Sequence, residues 1–168
     1  MIQAVNKYTS ISRCKLFVAA LLTILTISSC NKIPVGYLQT EDASFAPDTM
    51  YAYRNIQPDD IHLLEKSPWT SLVIQGVAGT VPINYEFAGV QAKEGGDAAA
   101  FEKAVNAGHV TVQGGIVRVF QKAVESIPNG VYTLSLRVYN EGHSAILKDI
   151  ITVVVEEDQP IAVDESDF

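Results

Sequence analysis

The sequence predicts a mostly β protein, an antiparallel β-sandwich with one short helix, in the part of the chain beyond residue 47. Three observations predict it. Apolar residues recur with a period of two in several short runs. Turn residues break those runs at intervals of roughly 8–12 residues, the spacing of a sandwich rather than of alternating strands and helices. Only one segment carries helical spacing.

Met50-Tyr51-Ala52-Tyr53-Arg54 is the first candidate strand. Ser71-Leu72-Val73-Ile74-Gln75 is the second, ended by Gly76 and Gly79. From Ile83 to Val90 apolar residues alternate with polar or small ones and include Tyr85 and Phe87, which suits a half-buried strand. Residues 97–108 break the pattern. Asp97 stands at a capping position, three alanines follow, and Phe101, Ala104 and Val105 lie at i, i+3 and i+4 before Gly108. His109–Val112 and Ile116–Phe120 flank Gly114-Gly115, the spacing of a tight hairpin. Val131–Tyr139 is a long strand whose inward residues are Tyr132, Leu134, Leu136 and Val138. After the turn Asn140–His143, the Ile- and Val-rich run Ala145–Val155 returns as a strand.

Composition excludes several functions. The 168 residues carry 12 Lys and Arg against 19 Asp and Glu, a net charge of −7, so no basic stripe exists for a phosphate backbone and nucleic acid is not a partner. Two cysteines build neither a disulfide scaffold nor a four-thiolate zinc site. His62, His109 and His143 have no ligand spacing, so no metal and no cofactor is expected. No Gly-x-Ser-x-Gly elbow, Walker motif or Gly-x-Gly-x-x-Gly occurs. The carboxylate pairs Glu41/Asp42 and Asp59/Asp60 fall on expected loops and read as solvated charge rather than as a glycosidase pair. The sequence therefore supports no enzyme.

The first thirty residues differ from the rest. Lys7, Arg13 and Lys15 precede an apolar run of twelve residues, Leu16–Ile27, and no acid occurs. As a helix that run spans about 18 Å, short of a hydrocarbon core of about 30 Å, and fits a secretory signal peptide. Its end, Ile27-Ser28-Ser29-Cys30, resembles the lipobox of bacterial lipoproteins, in which the cysteine is lipidated and becomes the mature N terminus. The resemblance implies a membrane partner through lipid on Cys30 and loss of residues 1–29. The mature chain then has 9 basic and 19 acidic residues, a net of −10, and no free thiol. Asn31 follows the cysteine, so the resemblance points to the outer membrane. The acidic stretch that marks surface export in Bacteroidetes-type lipoproteins is missing next to Cys30, which leaves the face of that membrane open.

A second resemblance covers about residues 71–155. Gly130-Val131-Tyr132-Thr133-Leu134, the turn and the Ile/Val strand after it are similar to the end of Ig-like sandwiches of the cadherin and PKD type. Pro82–Phe87 and Gly108–Val112 look like the middle of such a domain. The resemblance implies a tyrosine corner, with the Tyr132 hydroxyl returning to backbone just upstream. The calcium signatures of cadherins do not occur. The whole also resembles small Bacteroidetes lipoproteins, some of them found beside glycan-uptake systems.

These readings give a signal peptide over 1–29, a lipidated N terminus and tether over 30–47 with Tyr37 and Leu38 as residues that dock on the domain, an Ig-like sandwich over 48–156, and an acidic tail over 157–168. The tail is expected to fray, with calcium binding as the alternative. Exposed aromatics are the remaining binding candidates, since an aromatic ring stacks on a sugar face. Trp69 lies in a loop ahead of a strand, and stands either as such a platform or as an edge-packing residue. Tyr51 and Tyr53 share one strand face. The expected function is a non-catalytic binding or assembly module at the outer membrane, with glycan or an envelope protein as partner. The alternative is a structural or adhesive domain that binds protein by strand addition.

Overall fold

The computed structural model describes residues 36–160. The signal segment, Cys30 and the tail beyond residue 160 lie outside the described residues. In chain order the elements are β1 (Leu38–Gln39), β2 (Thr49–Asn55), α1 (Ile61–Leu64), β3 (Trp69–Thr70), β4 (Ala78–Gly79), β5 (Asn84–Lys93), α2 (Ala98–Asn106), β6 (Val110–Gln113), β7 (Ile116–Val119), α3 (Gln121–Ser126), β8 (Gly130–Asn140) and β9 (His143–Asp158). The protein is mostly β, with several antiparallel sheets.

Four strands pair in the order β2-β9-β8-β5 and three in the order β3-β7-β6, and β1 pairs with β4. All pairs are antiparallel except β2 with β9, which run parallel from Thr49 opposite Thr152 to Asn55 opposite Asp158. Strict alternation gives β8 one dry face: Tyr132, Leu134, Leu136 and Val138 are each 0% exposed. Each such side chain contributes roughly 1.5–3 kcal/mol by leaving water. Ile151, Val153 and Val155 continue that face on β9, and Val110, Val117 and Val119 meet it from the three-stranded sheet in one core. Gly114 and Gly115 both have positive φ, 59° and 74°, which is the two-residue I′ turn that joins β6 to β7.

The Asp97 carboxylate accepts from the amides of Ala99 at 2.8 Å and Ala100 at 3.2 Å and starts α2. The inward face of α2 carries Phe101 and Ala104, and the Phe101 ring lies 4.9 Å from the Tyr132 ring. Two further helices correct the expectation of a single one. The α3 helix spans only six residues and stops ahead of Pro128, too short to display a period, yet Ala123 and Val124 are fully buried. One turn, α1, stands between β2 and β3.

Both edges of the domain also extend past their expected positions. The segment read as tether docks through Tyr37 and Leu38, as expected, and joins the folded unit further along as well. Leu38 and Gln39 pair with Gly79 and Ala78, Ser44 bridges to Gln75, and Phe45 is 4% exposed in the core. At the other end β9 continues through Glu157 and Asp158, residues read as tail. Glu157 lies 3.3 Å from Arg54 Nε, and the Asn55 amide donates to Asp158 at 2.8 Å.

Candidate functional site

Residues 56–68 connect the edge strand of one sheet, β2, to the edge strand of the other, β3, and build a cleft between them. Asp60 starts this wall. Its carboxylate accepts from the His62 amide at 2.7 Å and caps α1. That bond, with a second from Gln159 Nε2 at 2.6 Å, holds the Asp60 carboxyl below its ordinary range against a smaller opposing effect of burial. Gln159 also accepts from the Gln57 amide at 3.0 Å, so the end of β9 pins the connection.

His62 comes off this turn with Nδ1 2.8 Å from the Ser67 carbonyl oxygen. Its ring stacks on Trp69, with centroids 4.5 Å apart and planes 17° from parallel. Trp69 is the first residue of β3 and pairs with Val119, which draws it inward to 6% exposure. The open-platform reading of Trp69 thus gives way to the edge-packing one: His62 covers a face that a sugar would need. Tyr51 takes over as the accessible ring. It is 50% exposed and stands on the outer side of β2, while Ala52 beside it is fully buried. Tyr51, Met50, Ile61, His62 and Trp69 line a cleft of about 380 Å³.

Tyr53 shares the outer face of β2 with Tyr51 but does not line the cleft. Burial, with the negative charge of Glu156 opposite it, raises its phenol pKa above the ordinary value. A second hollow of about 320 Å³ lies between α2 and α3, lined by Lys103, His109, Ser126 and small residues. Among the described residues no group of three His, Cys, Asp or Glu is placed to hold a metal.

Sequence reasoning grouped Tyr51 and Tyr53 with Trp69, and the fold brings Tyr51 and Trp69 to one cleft. It missed His62, which reads as a chance surface histidine among acids, and Gln159, which reads as tail. The available signal was a capping Asp60 two residues before His62, with Pro68 fixing the entry to the strand. Comparison with protein-family models, curated proteins and solved structures finds no match to the chain.

Proposed function

We propose that this chain is a non-catalytic binding module, held at the outer membrane through lipid on Cys30, that captures glycan at the cleft between β2 and β3. The observation that carries the reading is the cleft itself: an exposed Tyr51 ring on one side and the His62–Trp69 stack on the other. Its volume falls in the range of small-ligand sites, roughly 300–1,000 Å³. A tyrosine with a free face and a polar hydroxyl suits a sugar ring, which offers C–H groups on its face and hydroxyls around its rim.

The scaffold is read as an Ig-like sandwich. Three features support that reading: a first long strand parallel to the last, an order β2-β9-β8-β5 facing β3-β7-β6, and a tyrosine-corner bond at the start of β8. The resemblance of the N-terminal segment to a lipobox supports the anchoring.

Glycan arrays probed with the Cys30→Ala chain, with Tyr51→Ala alongside, test the capture. Binding that disappears in the variant is expected. If no glycan binds at millimolar concentration and an envelope protein co-purifies, capture is abandoned for a protein partner.

One observation favours that second reading. The pairing of β2 to β9 begins only at Thr152, so residues 143–151 have no strand beside them on that edge among the described residues. Ile146 is half exposed there. A strand added along this edge would find open backbone groups. The Lys148–Ile150 bulge, with Asp149 at φ 51°, limits such pairing to a few residues.

A further inference from the structure

We infer that the end of the fold carrying Tyr37 and Val81 sits on the bilayer surface, so that the β2–β3 cleft points away from the membrane. The inference rests on the proposed lipid attachment at Cys30 and adds the face and the orientation.

The first argument is reach. Tyr37, next to β1, stands seven positions after Cys30, with six residues between them. Fully extended, that stretch spans about 25 Å. The β8 strand has eleven residues and spans about 35 Å from Gly130 to Asn140. Tyr37 lies at the Asn140 end, because Asn140 Nδ2 donates to the Tyr37 carbonyl at 2.8 Å and to the Thr80 carbonyl at 2.9 Å. The domain therefore cannot stand upright on its Gly130 end while Cys30 is anchored, since the attachment point would then be about 35 Å above the surface on a leash of about 25 Å.

The second argument is the surface at the near end. Thr80 and Tyr37 hold each other through two bonds, Thr80 N to the Tyr37 carbonyl at 3.0 Å and Tyr37 N to Thr80 Oγ1 at 3.2 Å. On this mount Tyr37 is 53% exposed and Val81 79% exposed. Tyrosine favours the membrane–water interface, where its ring meets apolar groups and its hydroxyl meets water. Glu141, next to Asn140, belongs to the same end, so an anionic lipid surface would repel it and a zwitterionic one suits the contact. The cleft falls on the far half, since Met50 and Tyr51 are level with Val153 and Val154, which pair with Tyr132 and Val131 near the start of β8.

Cysteine labelling of the full lipidated chain tests this, because the mature chain offers no other free thiol than the lipid-blocked Cys30. Val81→Cys, Tyr37→Cys and Glu125→Cys would each carry an environment-sensitive fluorophore in phosphatidylcholine vesicles with brominated acyl chains. Several-fold stronger quenching at positions 37 and 81 than at 125 is expected. Equal quenching, or stronger quenching at 125, overturns the orientation and leaves the anchoring intact. A chain that does not float with the vesicles overturns both.

Discussion

The Tyr132 hydroxyl donates to the Pro128 carbonyl at 2.6 Å across the corner between α3 and β8. The same oxygen accepts from the Asp97 amide at 3.2 Å. One side chain thus ties the start of β8 to the chain before it and to the first turn of α2. Tyr132→Phe keeps the buried ring and removes both bonds. The loss is expected to be about 1–3 kcal/mol, since two partly buried backbone groups lose their partner. Chemical denaturation with an unchanged m-value checks it.

Gly130 and Gly96 are packed backbone to backbone. A Cβ on Gly130 would stand 2.6 Å from Gly96 Cα and 2.9 Å from the Lys93 carbonyl oxygen, and closer still to the Gly96 amide nitrogen. Backbone atoms cannot swing aside as a flexible side chain does. Gly130→Ala is expected to destabilise by about 1–3 kcal/mol and Gly130→Val by more, through overpacking added to a φ of 157° that a side chain rarely adopts. Melting temperatures of the two variants decide it, and a Gly130→Val chain as stable as the parent contradicts it.

Arg54 is the only cation of β2 and ties that strand to the same corner. Its guanidinium donates to the Ile127 carbonyl and to Asn129 Oδ1, each at 2.8 Å, and to the Glu125 carbonyl at 3.3 Å. Glu157 completes the set at 3.3 Å. Arg54→Ala is expected to cost about 1.5–3 kcal/mol. Arg54→Lys should recover little of it, because a point charge does not reproduce a planar fork of donors. Hydrogen exchange at β2, faster in both variants than in the parent, is the specific readout.

Asp60 contributes to the acid limb of the pH profile, and Tyr132, with Tyr53 and Tyr85, to the alkaline limb. Asp60 has its carboxyl held below 3.8 by the His62 amide. A depressed carboxyl stabilises the fold above that value and loses the contribution as pH falls through its folded pKa. Burial raises the Tyr132 phenol above 10.0, so its contribution is present below pH 10 and is lost as pH rises beyond. Asp60→Asn should make the acid limb shallower while keeping the cap at neutral pH, and Tyr132→Phe should make the alkaline limb shallower, with Tyr53 and Tyr85 carrying the remainder. Urea titrations from pH 2 to pH 11 show both.

Much of this architecture is legible in the sequence where burial imposes a period. The dry face of β8 follows from Tyr132, Leu134, Leu136 and Val138, the hairpin from Gly114-Gly115, and α2 from Asp97 and Phe101. Short elements stay hidden. Neither four residues of α1 nor six of α3 complete enough turns to show a period, and the two-residue strands β1 and β4 show none. Phe45 is the one deeply buried residue of a segment with mixed polarity, and only the bridge from Ser44 to Gln75 explains it. The cleft was half legible. Tyr51 and Trp69 stood out as aromatics, but the stack that turns Trp69 into a wall depends on His62, seven residues upstream, and on a capped turn held by Gln159 from the far end of the chain.

The most direct test of binding at the cleft uses Trp69, the only tryptophan, as its own reporter. Titrating the chain with glycans while following tryptophan emission is expected to give a saturable change for at least one of them. Tyr51→Ala should weaken that affinity by about tenfold, the loss of one aromatic stacking contact, while Lys103→Ala at the second hollow leaves it unchanged. A saturable response that survives Tyr51→Ala, or no response to any glycan at millimolar concentration, contradicts the account.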